Sequence, residues 1–295
     1  MSAALDTTQR FLFDDQDVRG EIATLEHSYQ DILSRHPYPE PVKVLLGEML
    51  AAAVLLSTTL KFDGLLILQA RSSGPVSTLM VECSSDQEVR GIARYDDNVQ
   101  SSQALHELMP GGVLAITIDP ENGQRYQGIV SLEGTTLAEA LNGYFATSEQ
   151  LPTRFRLQAD GRKARGFLLQ ALPADRVTDP EARAIAWEHL TVLAASLTPE
   201  EQLALDNETI LHRLFHQEAV RLFTPRPVRF HCSCSAERSG NALISLGRED
   251  AMALLAEREG EIEIDCQFCN QRYLFDAAAL ETLFDRAAEQ AQRLH

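Results

Sequence analysis

Five cysteines occur in this 295-residue chain, and four of them fall into two short-spaced pairs. Cys232 and Cys234 form a C-x-C after one extended run. Cys266 and Cys269 form a C-x-x-C inside another, with 31 residues between the pairs. A short-spaced pair of thiolates grips a metal from one side, and two such pairs complete the tetrahedral four-sulfur shell that zinc favours. A shell filled by four protein sulfurs leaves no position for a catalytic water, so the metal it implies is structural or regulatory rather than hydrolytic. His231, beside Cys232, would be a fifth donor to a filled shell and is assigned to the flanking strand instead.

Two other uses of these cysteines must be weighed. A thiol–disulfide oxidoreductase sets its C-x-x-C at the start of a helix, where one thiol pKa is depressed. Here the motif lies between Glu261–Asp265, which alternates like a strand, and the strand-like Arg272–Phe275, which is the geometry of a zinc knuckle. A constitutive zinc-ribbon module that recruits a protein partner stays open. One that reads nucleic acid is disfavoured by charge: Cys232–His295 carries 12 acidic residues against 6 arginines and no lysine, and the whole chain has net charge −17. No phosphate loop, dinucleotide fingerprint, G-x-S-x-G or H-E-x-x-H motif occurs, so the reading is of a protein that is not an enzyme.

The rest of the chain must position this cluster. Arg10–Phe13 and Val18–Leu25 read as short strands, and His27–His36 as a helix stopped by Pro37, Pro39 and Pro41. From Val42 to about Leu60 apolar residues are almost continuous, which predicts a helix buried on several sides at the centre of an N-terminal domain. Its most apolar stretch, Met49–Leu56, is too short to span a bilayer. Gly64–Ala70, Val76–Cys83 and Val89–Tyr95 have the spacing of an antiparallel meander, with Cys83 as a small buried hydrophobe. A short helix is expected over Ser101–Met109, a hairpin over Val113–Asp119 and Arg125–Leu132 with Asn122-Gly123 in the turn, a helix from Thr136 to about Thr147, and a strand pair over Leu151–Ala159 and Arg165–Leu172. Hairpin-connected strands outnumber helices, so the fold class is α+β: mainly antiparallel sheets around a long buried helix.

Three domains follow: residues 1–178, a helical linker over 179–231, and a small zinc domain over 232–295. The linker holds helices at Asp179–Leu197, from Thr198-Pro199-Glu200-Glu201, and from Asp206-Asn207 through Phe215. None is long enough to persist alone in water, so their order is borrowed from a neighbour. In the last domain a helix at Arg248–Arg258 and a final helix capped by Asp276 flank the two strands. Its apolar content barely offsets chain entropy, so metal decides whether it folds. Met1–Asp15 lacks the apolar core of a secretory signal, which predicts a cytosolic protein with reduced thiols.

The C-x-C, some thirty residues, then C-x-x-C pattern in an acidic chain of this size resembles the redox-regulated holdase chaperones of bacteria, the thirty-three-kilodalton heat-shock protein family. The resemblance runs through Val18-Arg19-Gly20, Leu60-Lys61-Phe62-Asp63-Gly64, Val89-Arg90-Gly91-Ile92-Ala93-Arg94, Arg125-Tyr126-Gln127-Gly128-Ile129-Val130 and Tyr144-Phe145-Ala146-Thr147-Ser148-Glu149-Gln150 to Phe230-His231-Cys232-Ser233-Cys234. It implies an ATP-independent chaperone of the stress response, inactive while reduced and loaded with one zinc. Oxidation would form the disulfides Cys232–Cys234 and Cys266–Cys269, release zinc, unfold the zinc domain and linker, and expose a surface for unfolded client proteins. It further implies a homodimer when oxidised, hand-over of clients to ATP-dependent foldases, a cytoplasmic location, and no nucleic-acid or membrane partner.

Overall fold

The computed structural model describes residues 6–60, 62–99, 104–148 and 151–293. They divide into two units, Met1–His231 and Cys232–His295. The first unit opens with strands β1 (Thr7–Phe13) and β2 (Val18–Leu25), then helices α1 (His27–Leu33) and α2 (Glu40–Thr59). Strands β3 (Gly64–Arg71), β4 (Val76–Ser84) and β5 (Glu88–Tyr95) follow, then α3 (Leu105–Leu108), β6 (Val113–Pro120), β7 (Tyr126–Ser131) and α4 (Leu137–Ser148). The chain continues through β8 (Thr153–Ala159), β9 (Ala164–Ala171), α5 (Pro180–Ala195), α6 (Pro199–Ala204) and α7 (Asn207–Phe215) to the short strands β10 (Val220–Leu222), β11 (Arg226–Pro227) and β12 (Arg229–Phe230).

Two six-stranded sheets result. One has the order β10-β1-β2-β9-β8, with β11 also on β1, and the other β12-β5-β4-β3-β6-β7. Among the described residues the pairings in these two sheets are antiparallel except β12 on β5, and the sequence neighbours β1–β2, β3–β4, β4–β5, β6–β7 and β8–β9 pair as hairpins. Helix α2 is buried against both sheets: Leu46, Leu50 and Leu55 share one core with Leu66 and Val81 of the second sheet and Phe155 and Leu168 of the first. The α+β expectation, antiparallel sheets around a long buried helix, is met. Gly47 sits where Tyr29 and Ala159 close on the helix, and a Cβ there would lie 2.7 Å from the Tyr29 ring. One expectation needs correcting: at 20 residues α2 is long and apolar enough to cross a membrane, and its burial inside the protein, 78% over its most apolar window, is what argues against that role.

Because side chains alternate along a strand, the first sheet has a second face. Phe11, Phe13, Val18, Ile22, Phe167 and Leu169 point away from α2 and are covered by Leu190, Leu197, Ile210, Leu211, Leu214 and Phe215 of α5–α7 and their connections. Each of these helices starts where the sequence signals it. Asp179, Thr198 and Asp206 accept hydrogen bonds from the N3 amides, and Pro180 and Pro199 occupy the first turn. The neighbour that lends them order is thus this sheet face. The helix expected over Ser101–Met109 is confined to Leu105–Leu108, residues 101–103 lying outside the described residues.

The second unit contains α8 (Ala236–Leu246), α9 (Arg248–Glu257), β13 (Ile262–Asp265), β14 (Arg272–Phe275) and α10 (Ala277–Arg293). Its core is small: Leu243, Ala251, Leu255, Ile262, Phe275, Leu280 and Phe284. Helix α8 was not anticipated, because Ser239-Gly240-Asn241 lowers its intrinsic propensity. It forms because Ser235 caps the Arg238 amide at 3.1 Å and Gly240 admits Leu283, which a Cβ would meet at 2.7 Å.

Candidate metal centre

Cys232 and Cys234 lie in extended chain just before the Ser235 cap of α8, and the Arg238 side chain reaches back to hold the residue between them. Its Nη1 donates to the Ser233 carbonyl at 2.9 Å and to Ser233 Oγ at 2.6 Å. The second pair sits in the turn joining β13 to β14. The Cys266 amide donates to the Gln271 carbonyl at 2.9 Å and the Asn270 amide to the Cys266 carbonyl at 2.8 Å, while Asn270 takes a left-handed φ of 57° that asparagine tolerates. This is a knuckle between strands with no helix start behind Cys266, which removes the structural basis for the oxidoreductase reading.

The turn and the cap bring together all four cysteines. Their Sγ atoms lie within 4.8 Å of one another, with Cys232 and Cys266 at 3.7 Å and Cys234 and Cys269 at 3.4 Å. Tetrahedral zinc with Zn–S bonds of ~2.3 Å requires sulfurs ~3.8 Å apart. The spacing fits, and so does the soft, all-sulfur donor set. Without a cation these sulfurs resist ionisation: burial pushes the Cys266 and Cys269 thiols up, and at Cys269 the bonds to the three neighbouring sulfurs add to it. A bound cation compensates that cost, because a metal takes its cysteine ligands as thiolates.

Tyr273 on β14 is the contributor that sequence reasoning missed. Its hydroxyl donates to Cys234 Sγ at 3.1 Å, and that bond, followed by burial, raises the phenol to about 12. A signal existed. Tyr273 stands two residues before Phe275, which is buried in the core of this unit, so both project from the same face of β14. His231 is no part of the cluster. Its amide bonds the Val89 carbonyl at 3.1 Å and its ring faces Glu88 at 3.8 Å. Cys83 is fully buried, 3.3 Å from Ser57 Oγ, and burial pushes its thiol up to about 12. It is an inert core residue, as its place on β4 suggested.

A family model described as "Hsp33 protein" matches residues 6–276. A 33 kDa chaperonin of Pseudomonas paraeruginosa is 67% identical over 286 residues, covering 97% of this chain and 96% of that one. Another, from Azotobacter vinelandii, is 68% identical over 280 residues, covering 95% and 94%. Among solved structures, the crystal structure of the 33 kDa chaperonin (heat shock protein 33 homolog) of Thermotoga maritima aligns with a TM-score of 0.78 at 24% identity, covering 96% of this chain and 99% of that one, a likeness of fold.

Proposed function

The chain belongs to the Hsp33 family, and from that premise we propose that Cys232, Cys234, Cys266 and Cys269 hold one zinc ion and form the redox switch of an ATP-independent holdase. The family places the protein among redox-linked heat-shock chaperones, not among enzymes. The observation that carries the zinc reading is the convergence of four sulfurs from two distant motifs within 4.8 Å. Bound zinc would keep all four sulfurs deprotonated at neutral pH, and the thiolate is the form an oxidant attacks.

With hydrogen peroxide as oxidant, a thiolate sulfur of one pair attacks one peroxide oxygen and the O–O bond breaks, giving a sulfenic acid and hydroxide. The second sulfur of that pair then displaces hydroxide to close a disulfide. Each pair gives up two electrons to one equivalent of peroxide. The pairs we propose are Cys232–Cys234 and Cys266–Cys269, in which the partner is already two or three residues away. Each disulfide withdraws two donors from the metal site. Structural zinc contributes about 10–16 kcal/mol at neutral pH, more than a core as small as that of the second unit can replace, so loss of the donors unfolds it.

The consequence we propose for the first unit is undocking of α5–α7. That would bare the cluster in which Phe13 and Phe215 meet edge-on at 5.0 Å and Phe11 and Phe167 lie 5.6 Å apart, together with Leu190, Leu193 and Leu211. An apolar face of that kind binds unfolded chains through the same burial that holds the helices. The domain division 1–178, 179–231 and 232–295 then reads as client-binding body, mobile cover and sensor. A homodimer in the oxidised state, delivery of clients to ATP-dependent foldases, and a cytoplasmic location belong to the same proposal.

Light scattering from a heat-unfolding client, with zinc release followed in parallel by a chromophoric chelator, tests it. Suppression of aggregation only after peroxide treatment, with one zinc released per chain, is the expected result. Equal suppression before and after oxidation, or in neither state, would overturn it.

A further inference from the structure

The first unit contains a cavity of about 450 Å³ with an unusual charge balance. Its wall includes Arg10, Arg19, Glu21 and Arg226, with Thr58 at the end of α2 and Phe223 beside β10. Arg10 and Arg19 project from the α2-facing side of the first sheet, where Arg10 pairs in register with Glu21 and Leu12 with Arg19. Each caps the helix terminus: Arg10 Nη2 donates to the Thr58 carbonyl at 2.9 Å and Arg19 Nη2 to the Thr59 carbonyl at 2.9 Å. Capping uses only one edge of each guanidinium.

The charges do not balance. Glu21 is the one carboxylate in the wall, and both its oxygens are engaged, Oε1 by the Thr8 hydroxyl at 2.8 Å and Oε2 by Arg10 Nε at 3.3 Å. Among the described residues no carboxylate lies within ion-pair distance of Arg19 or Arg226. Arg19 is half-buried and bonds only neutral acceptors, the Gln170 amide oxygen at 3.0 Å and the Thr59 carbonyl. Among the described residues the Arg226 side chain bonds only the Ser85 carbonyl, at 3.3 Å. Burial, and after it the neighbouring Arg10, pull Arg19 below the usual guanidinium range. In a chain of net charge −17, a cavity holding three arginines and one already engaged carboxylate is a deliberate excess of positive charge, which exposed counter-ions in bulk water would leave uncompensated on its buried side.

We propose that this cavity binds a phosphate-type oxyanion, with Arg19 and Arg226 as its principal donors and Arg10 contributing its remaining edge. Planar guanidinium forks match phosphoryl oxygens bidentately, and three of them can serve one or two phosphoryl groups at once. The volume accommodates pyrophosphate with room for water. The site is separate from the four cysteines, and its occupancy stabilises the first sheet where β10 and β11 join β1.

Isothermal titration of the reduced, zinc-loaded full chain with inorganic phosphate and with pyrophosphate tests this, with citrate as a non-phosphate polyanion and zinc content measured in the same samples because pyrophosphate also draws zinc. The expected result is saturable one-to-one binding of pyrophosphate that weakens at least tenfold in Arg226→Ala. The side chain is exposed and makes one hydrogen bond among the described residues, and the β11 backbone pairing does not depend on it, so the variant should fold normally. Arg19→Gln, checked by far-UV circular dichroism, should lose binding as well. Arg229→Ala, an exposed arginine outside the cavity, should bind as the parent does. Absence of saturable binding, equal affinity in Arg226→Ala, or citrate binding as tightly as pyrophosphate would each overturn the assignment.

Discussion

Arg165 and Gln202 exchange hydrogen bonds across the boundary between the first sheet and the helices that cover it: Arg165 Nη1 donates to the Gln202 carbonyl at 2.8 Å, and Gln202 Nε2 donates to the Arg165 carbonyl at 3.2 Å. Arg165 also reaches the Leu205 carbonyl and Asn207, and Arg156 beside it caps the Leu197 carbonyl, so the ends of α5 and α6 are tied to β8 and β9. Burial alone pulls Arg165 down to about 10, with Asp206 nearby acting the other way. The seam is imperfect. Arg156 Nε, Arg165 Nε and Gln202 Oε1 are all buried without partners. A buried polar atom left unsatisfied costs about 1–3 kcal/mol, so the cover is held by a latch that is specific but not strong.

Removing half of that latch should loosen the cover without touching the sensor. Gln202→Leu keeps the volume but deletes both donors to the sheet carbonyls, at an expected cost of about 1–3 kcal/mol to docking. Reduced, zinc-loaded Gln202→Leu should be cleaved faster by protease within 179–215 and should suppress client aggregation without oxidant. A variant as protected and as inactive as the parent would show that α5–α7 are a permanent part of the body.

At the cysteine cluster, Tyr273→Phe removes the hydroxyl that donates to Cys234 Sγ. A hydrogen bond onto a thiolate withdraws electron density and slows its attack on peroxide, so the variant should lose zinc about three- to tenfold faster at equal peroxide, with unchanged stoichiometry. Stopped-flow zinc release reads this directly. A rate equal to or slower than the parent's would mean that the phenol only packs against the site.

Cysteine labelling provides a check on which sulfurs are chemically available. Chelation of zinc under non-denaturing conditions should expose four thiols to an alkylating reagent, and Cys83 only after global unfolding, since it is fully buried and its thiol is raised to about 12. Intact mass should step by four adducts and later by a fifth. Early appearance of the fifth would place the core of the first unit among the parts that open with the sensor.

The legibility of this chain was uneven for physical reasons. The cysteine pairs were readable because metal chemistry demands particular residues at particular short spacings, and α2 because an almost unbroken apolar run leaves few alternatives to central burial. The caps of α5–α7 were readable from Asp179, Thr198-Pro199 and Asp206, since capping is local. What they cap onto was not. Whether α5–α7 lean on a sheet or on the zinc lobe depends on Phe11 and Phe13 meeting Phe215, a contact about 200 residues apart that no local pattern encodes. Helix α8 was hidden for the opposite reason, because its stability resides in the fit of Leu283 over Gly240 and not in its own residues. Tyr273 fell between the two cases: its face on β14 was predictable, its sulfur partner was not.

Glu48 supplies a pH test of the central helix. It lies on α2 beside an apolar cavity of about 280 Å³ bounded by Val44, Leu45, Leu105 and Leu137, and burial alone pushes its carboxyl up to about 8. An unfolded glutamate ionises near 4.3. The folded state therefore keeps a proton that the unfolded state releases, so stability from this group is fully present below about pH 4, falls as pH rises toward 8, and stays reduced above it. The side chain is not wholly enclosed, and the loss is on the order of 2–4 kcal/mol after allowance for solvent screening. Glu48→Gln removes the titration while keeping shape, so the variant should melt at a temperature close to the parent's at pH 5 and several degrees above it at pH 8.5. Melting followed by the near-ultraviolet signal of the first unit, in the reduced zinc-loaded protein at both pH values, measures the difference. A gap between variant and parent that does not widen with pH would mean that Glu48 is ionised in the folded protein and that the cavity beside it is wet.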